Sequence, residues 1–213
     1  TPETYFNNET ELQTFLTGVY SPLMQEPFYG SDYLVTNGGG DDLSFYQRSN
    51  PVDGIVCNNA NSGNSSIMKF WRLLYDGINR ANMLLENADK NATISETVRN
   101  RVKAEALFLR SFYYFNLVQG WGDVPMRLAS VNSPDNLSIA RTPKQEVYNQ
   151  IISDINKTIP YLYTADQLSY TGRVTQSTAK AILARIYMFR AGENFRDAAV
   201  GNDITNTQDS IQA

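Results

Sequence analysis

Histidine is absent from this chain of 213 residues, and cysteine occurs once, at Cys57. Histidine is the commonest general base and the commonest metal ligand. Without it, Ser-His-Asp and Cys-His nucleophiles, HExxH zinc sites and haem sites with a His axial ligand are excluded. A single cysteine rules out an intrachain disulfide and a thiolate metal cluster. Carboxylates, Lys and Tyr remain for chemistry, and no metal or cofactor is expected. Positive charge is also scarce, with 18 Lys and Arg against 22 Asp and Glu and a net charge of −4. Nucleic-acid and anionic-lipid surfaces need a basic face, and no basic stripe occurs here, which argues against both as the main partner. No stretch approaches the roughly 18 consecutive apolar residues of a membrane span. The opening Thr1-Pro2-Glu3 is too polar for a signal peptide, and the lack of an initiating Met points to a trimmed leader.

Apolar material is ample. Hydrophobic residues make up 42% and aromatic residues 12%, enough for a core that needs neither metal nor disulfide. The 21 Asn and 10 Gln are close to one residue in seven, and 13 Tyr accompany them. Neutral amides beside aromatic rings suit sugar hydroxyls, although amides also serve turns and helix caps. Asn-x-Ser/Thr triplets begin at Asn8, Asn64, Asn91, Asn136 and Asn156, as expected by chance in so Asn-rich a chain.

Spacing of three and four recurs throughout. Phe70, Leu74, Ile78, Ala81, Leu85 and Ala88 predict a helix near 66–90, capped by Ser65 or Ser66. Val98, Val102, Ala106, Leu109, Tyr113 and Leu117 predict a second after Ser95, ended by Gly120. From Ala106 to Val118 that helix is apolar almost all round, so other elements must cover it on several sides. Thr142-Pro143 opens a third helix bearing Val147, Ile151, Ile155 and Ile159, and Thr175 opens a fourth ending near Gly192. Leu12, Phe15, Leu16 and Val19 mark an early helix over 9–26 that Pro22 shortens or kinks. Strand signals are nearly absent. The expected fold is all-α, an irregular bundle in one domain over 1–213. Helices 95–120 with 143–160, and 175–192 with 194–213, form TPR-like helix-turn-helix pairs. The outer face of the last pair is left uncovered, so further chain is expected beyond Ala213.

Residues 28–65 differ in kind. Gly30, Gly38, Gly39, Gly40, Pro51, Gly54 and Gly63 break periodicity, while Phe28, Tyr29, Tyr33, Phe45 and Tyr46 exclude a plain linker. A long ordered excursion of this kind is where binding residues concentrate. Tyr46 and Arg48, with Asn58, Asn59 and Asn61, are the favoured constellation. The tyrosine ring offers a flat apolar face, and the planar groups offer paired contacts to vicinal hydroxyls. Asp41 and Asp42 follow three glycines. Adjacent residues of an extended chain point to opposite faces, so these two cannot form a paired-carboxylate site, but one can accept two sugar hydroxyls.

Four blocks in order carry a family resemblance. They are Trp71-x-x-Leu74-Tyr75-x-x-Ile78-Asn79-Arg80-Ala81-Asn82; Ala104 to Phe115 running into Gly122-Asp123-Val124-Pro125; Arg141-Thr142-Pro143 with Glu146-Val147-Tyr148; and Gly172-Arg173-Val174-Thr175 into Ala179-Lys180-Ala181 and Ala184-Arg185-Ile186-Tyr187. Together they resemble the N-terminal half of the SusD/RagB outer-membrane nutrient-binding lipoproteins. The resemblance implies a helical TPR-like scaffold, an acylated N-terminal Cys as anchor and a TonB-dependent, SusC-like transporter as partner. It also implies capture of glycans or other nutrients at the cell surface. Cys57 sits mid-chain and cannot be the lipidated residue. Members of the family run to more than twice this length.

Several motifs have simpler uses. Trp71, Tyr75 and the Ala104–Phe115 aromatics lie at helical spacing in apolar stretches and are expected in the core. Glu105 and Arg110, five apart on one helix, cannot easily pair with each other, so each is expected to meet a partner on another helix. Gly120-Trp121-Gly122-Asp123 reads as a post-helix turn with an aromatic plug. The leading functional expectation is a non-catalytic surface glycan-binding protein. The rival is a TPR-like protein-interaction scaffold. A helical glycoside hydrolase ranks last, because it needs two carboxylates about 5–9 Å apart and no single element offers them.

Overall fold

The computed structural model describes residues 6–30, 61–131, 138–168 and 172–199, with side chains as far as residue 193. Helix α1 spans Glu9–Tyr20. Asn8 caps it, accepting the Glu11 N–H at 2.9 Å, and buries Leu12, Leu16 and Val19 on one side. Pro22 then tightens the chain into a 3₁₀ turn, Ser21–Met24, and the short α2, Glu26–Tyr29, follows. Phe28 on α2 is fully buried, with ring centroids 5.5 Å from Phe70, 5.9 Å from Phe112 and 6.0 Å from Tyr113. It plugs the core, so the excursion expected from residue 28 starts later. Most of that excursion, residues 31–60, lies outside the described residues.

Helix α3 spans Ser65–Asn87 and α4 spans Glu96–Trp121. Asn64, not Ser65 or Ser66, caps α3, because its side chain reaches the N–H of Ser66 at 3.0 Å and of Ile67 at 3.1 Å. Ser95 caps α4 as expected. The two helices run antiparallel, since Phe70 meets Trp121, Gly77 meets Tyr113 and Asn82 meets Arg110. Gly77 is the point of closest approach. A Cβ there would stand 2.5 Å from the Tyr113 ring, so only hydrogen fits. Helix α4 is wrapped by α1, α3, α5 and α6, which is why its aromatics from Phe108 to Phe115 can be apolar all round.

Helix α4 passes through Gly120 and stops at Trp121. The left-handed residue that ends it is Gly122, with φ of +67°, whose N–H closes onto Val118 O. Thr142 forms an isolated bridge with Val124 and does not cap the next helix. Helix α5, Lys144–Thr158, instead has Pro143 before it, and the Lys144 N–H is taken by the Asp123 carboxylate at 2.8 Å. The expected turn motif thus supplies the cap of a helix 21 residues on. Helix α6 spans Gln176–Ala199, continuing through Gly192, where a single glycine costs only about 1 kcal/mol. The break expected between 175–192 and 194–213 is therefore absent, since residue 194 lies inside α6, and the rest of the expected partner helix, 200–213, lies outside the described residues. Gln176 meets Leu162, and Arg190 meets Gln145, which sets α6 antiparallel to α5. Helices α3 to α6 alternate in direction as helix-turn-helix pairs. Among the described residues there is no strand, and no helix is long and apolar enough to cross a membrane.

Two buried polar clusters tie the layers together, as the positions of Glu105 and Arg110 suggest. Arg173 forks onto Glu105, with both contacts at 2.6 Å, and the Tyr20 hydroxyl donates to the same carboxylate at 2.6 Å. Arg110 donates to Asp154 of α5 at 2.7 Å and to Asn82 of α3 at 2.8 Å. Each cluster joins three separate elements through groups that would be costly to leave unpaired.

Candidate functional site: a cleft along helix α3

Trp71, Tyr75, Ile78, Asn79 and Asn82 fall on one face of α3 over about three turns. Opposite them runs an extended segment, Pro125 to Val131, followed by Ser138 and Ile139. A cleft of about 370 Å³ lies between the two walls.

The extended wall has no strand beside it, so its backbone must find partners elsewhere. Helix α3 supplies them from a ladder of side chains. The Tyr75 hydroxyl donates to Pro125 O at 2.7 Å, and Asn79 Oδ1 accepts the Val131 N–H at 2.8 Å. The Asn82 amide donates to Arg127 O at 3.1 Å and Ala129 O at 3.0 Å, and Glu86 accepts the Ser130 N–H at 2.7 Å. From α4, Tyr114 both donates to Arg127 O and accepts the Arg127 N–H. The Asn82 oxygen is held by Arg110, so the buried Arg110–Asp154 pair orients the residue that fixes the wall.

After this wall is satisfied, the cleft presents three kinds of surface. Trp71 and Tyr75 are half-buried, 4.9 Å apart between ring centroids, and Trp121 meets Trp71 edge-on at 5.0 Å. The Asn79 amide reaches only the weakly accepting Met83 sulfur, at 3.9 Å. Ile139, from the opposite wall, is 39% exposed. The phenols here are poor acid–base groups. Burial, together with neighbouring Tyr114, holds the Tyr75 hydroxyl well above the ordinary phenol range. Burial likewise pushes Tyr114 up to about 12. At neutral pH both are fixed hydrogen-bond donors. Among the described residues no cluster of His, Cys, Asp and Glu could hold a metal ion. The arrangement suits recognition of a flat, hydroxylated molecule through ring faces and an amide.

Of the residues favoured from sequence, Asp41, Asp42, Tyr46, Arg48, Asn58 and Asn59 lie outside the described residues. Asn61 is exposed in the turn before α3, where its side chain accepts the Gly63 N–H at 2.9 Å, and it does not line this cleft. Trp71 and Tyr75, expected in the core, do pack against it, but each stays partly exposed along the cleft. Their signal was the stripe 71, 75, 79 and 82, where amides replace apolar residues on one helix face.

The sequence matches, over residues 1–188, the SusD-like family model described as starch-binding and associating with the outer membrane. The chain belongs to this SusD-like family. A SusD-like protein of Formosa agariphila, P2, is 30% identical over 93% of this chain and 39% of its own length. Another from that organism, P25, is 28% identical over 88% of the chain and 37% of its own length. A laminarin-binding SusD-like protein of known structure superposes with a TM-score of 0.77, at 29% identity over 94% of this chain and 44% of that one. The SusD-like chain spans about two fifths of the length of the curated relatives it matches across most of its own sequence.

Proposed function

We propose that this SusD-like chain is the N-terminal domain, over 1–213, of a non-catalytic glycan-binding lipoprotein on the outer surface of the outer membrane. It captures oligosaccharide or polysaccharide and passes it to a SusC-like, TonB-dependent transporter. The observation that carries the reading is the α3 cleft. Its rings pack against one another, tilted and edge-on, so they offer partly exposed apolar surface to the C–H side of a sugar, and Asn79 stands beside them for hydroxyls. The laminarin-binding relative supports a glucan as the first ligand to try. The excursion residues Asp41, Asp42, Tyr46, Arg48, Asn58, Asn59 and Asn61 are proposed as a second contact surface for the same ligand.

Affinity electrophoresis through gels containing laminarin or starch tests this, with the full chain, Trp71→Ala, Ile139→Ala and Tyr46→Ala run side by side. Retardation that falls at least fivefold in Trp71→Ala or Ile139→Ala, with folding verified by circular dichroism, is the expected result. Retardation unchanged in both would overturn the cleft assignment, and loss in Tyr46→Ala alone would move the site to the excursion. Binding of the transporter without any retardation by glycan would favour a protein-interaction scaffold.

A further inference from the structure

Arg101 on α4 is a partly buried guanidinium without an acid. Its Nη1 donates to the Tyr163 hydroxyl at 2.5 Å, and its carbon lies 3.7 Å above the Tyr163 ring centroid. The Nε is buried with no acceptor, and among the described residues no carboxylate lies within ion-pair distance. Two other guanidinium groups at the helix junctions do have a carboxylate, as Arg110 has Asp154 and Arg173 has Glu105. A phenol is a weak substitute, because guanidinium is built for bidentate oxyanions.

The setting around Arg101 is a polar cleft of about 430 Å³, formed where the start of α4 meets the turn after α5. Thr97 and Asn100 line it from α4, and Tyr161, 52% exposed, lines it from the 3₁₀ turn Ile159–Tyr161. Among the described residues the Asn100 side chain makes one hydrogen bond, from its nitrogen to Glu96 at 3.4 Å, and its oxygen makes none. Glu96, exposed, lines the same cleft, where it takes the Asn100 amide and makes no ion pair with Arg101. The cleft thus holds an open ring, a hydroxyl, an amide, the Glu96 carboxylate and a cation with no ion pair among the described residues.

We infer that this cleft binds an acidic sugar, with Arg101 taking a carboxylate or sulfate group, Tyr161 taking the ring face, and Thr97 and Asn100 taking hydroxyls. The site is separate from the α3 cleft, and it rests on the glycan-binding reading only for the sugar that carries the acid. A membrane-surface polysaccharide bearing uronate or sulfate ester would then be held at two points on one scaffold.

The test is a titration of the full chain, followed by ¹H–¹⁵N NMR that includes arginine side-chain resonances. Trigalacturonate, a sulfated galactose oligosaccharide and a neutral β-1,3-glucan oligosaccharide serve as probes. The inference expects shifts at Arg101, Asn100 and the Tyr161 turn with an acidic probe and none there with the neutral one. Which acidic probe binds identifies the anion. Arg101→Gln should weaken that binding about tenfold or more, and Arg101→Lys should weaken it less, since charge remains while the fork is lost. Trp71→Ala should leave it unchanged, so a failed α3 cleft and a failed Arg101 site give different patterns. No shift at Arg101 with either acidic probe, or equal binding by folded Arg101→Gln, would overturn the inference.

Discussion

Removing the carboxylate of Asp154 is the sharpest test of how this fold is held. The Arg110 and Asp154 side chains are 8% and 5% exposed, so water cannot replace a lost partner. In Asp154→Ala the guanidinium keeps Asn82 and loses its counter-charge, a change that typically costs about 3–5 kcal/mol. A chain of this size loses roughly 2–4 °C of Tm per kcal/mol, so the melting midpoint should fall by about 6–20 °C. Replacing both partners, as Arg110→Leu with Asp154→Leu, removes the stranded charge. Arg110 Nε already lacks an acceptor, so the native pair is imperfectly satisfied and its isostere should be nearly neutral. What remains is the Asn82 oxygen, left without its donor at about 1–3 kcal/mol. The double variant should therefore be more stable than Asp154→Ala, by urea denaturation followed at 222 nm. It should also exchange the Arg127 and Val131 amides faster, because Asn82 no longer holds the cleft wall firmly. An Asp154→Ala variant within about 1 kcal/mol of the parent would show that the pair is solvated and refute this account.

Two further perturbations probe packing and ionisation. Gly77→Ala gains about 1 kcal/mol in helix propensity but places a methyl 2.5 Å from the Tyr113 ring. Such overpacking costs about 1–3 kcal/mol, so urea denaturation should show no net gain and a loss of up to about 2 kcal/mol. Burial raises the phenols of Tyr20, Tyr75, Tyr113 and Tyr114, the last to about 12, against 10.0 unfolded. The folded state binds these protons more tightly, so stability is constant below pH 10 and falls as pH rises through 10 to 12. Absorbance at 295 nm should therefore rise in step with alkaline unfolding, and four phenols titrating early in a folded chain would contradict their burial.

The helices were legible because each buries one face or nearly all of its surface, and that pattern is written at spacings of three and four. Misplaced boundaries share a cause, which is that a capping residue is chosen by backbone geometry. Asn64 outcompetes Ser65 because its side chain reaches two N–H groups at once. Gly122 ends α4 because the chain must turn left-handed there, while Gly120 sits in ordinary helix. Neither preference leaves a mark in hydrophobic periodicity. Glu105 and Arg110 were readable as buried locks because charges in so apolar a stretch must have partners. Which partners they have depends on how distant elements pack, and sequence spacing says nothing about that.

The α3 cleft shows the limit of periodicity more directly. Trp71 and Tyr75 have the spacing of core residues, and Tyr75 does engage its hydroxyl with Pro125 O. The distinction lies in what faces them. A helix packed on a helix meets apolar side chains, whereas α3 meets an extended segment whose backbone needs hydrogen bonds. The face therefore carries Tyr75, Asn79, Asn82 and Glu86 at intervals of four, three and four, a polar ladder that would be costly against another helix. Such a ladder does not close the surface fully, because an extended chain is narrower than a helix and leaves Trp71 and Tyr75 only partly covered. The same amides that appear in the sequence as turn formers thus build the wall of a groove, and the rings beside them stay partly exposed.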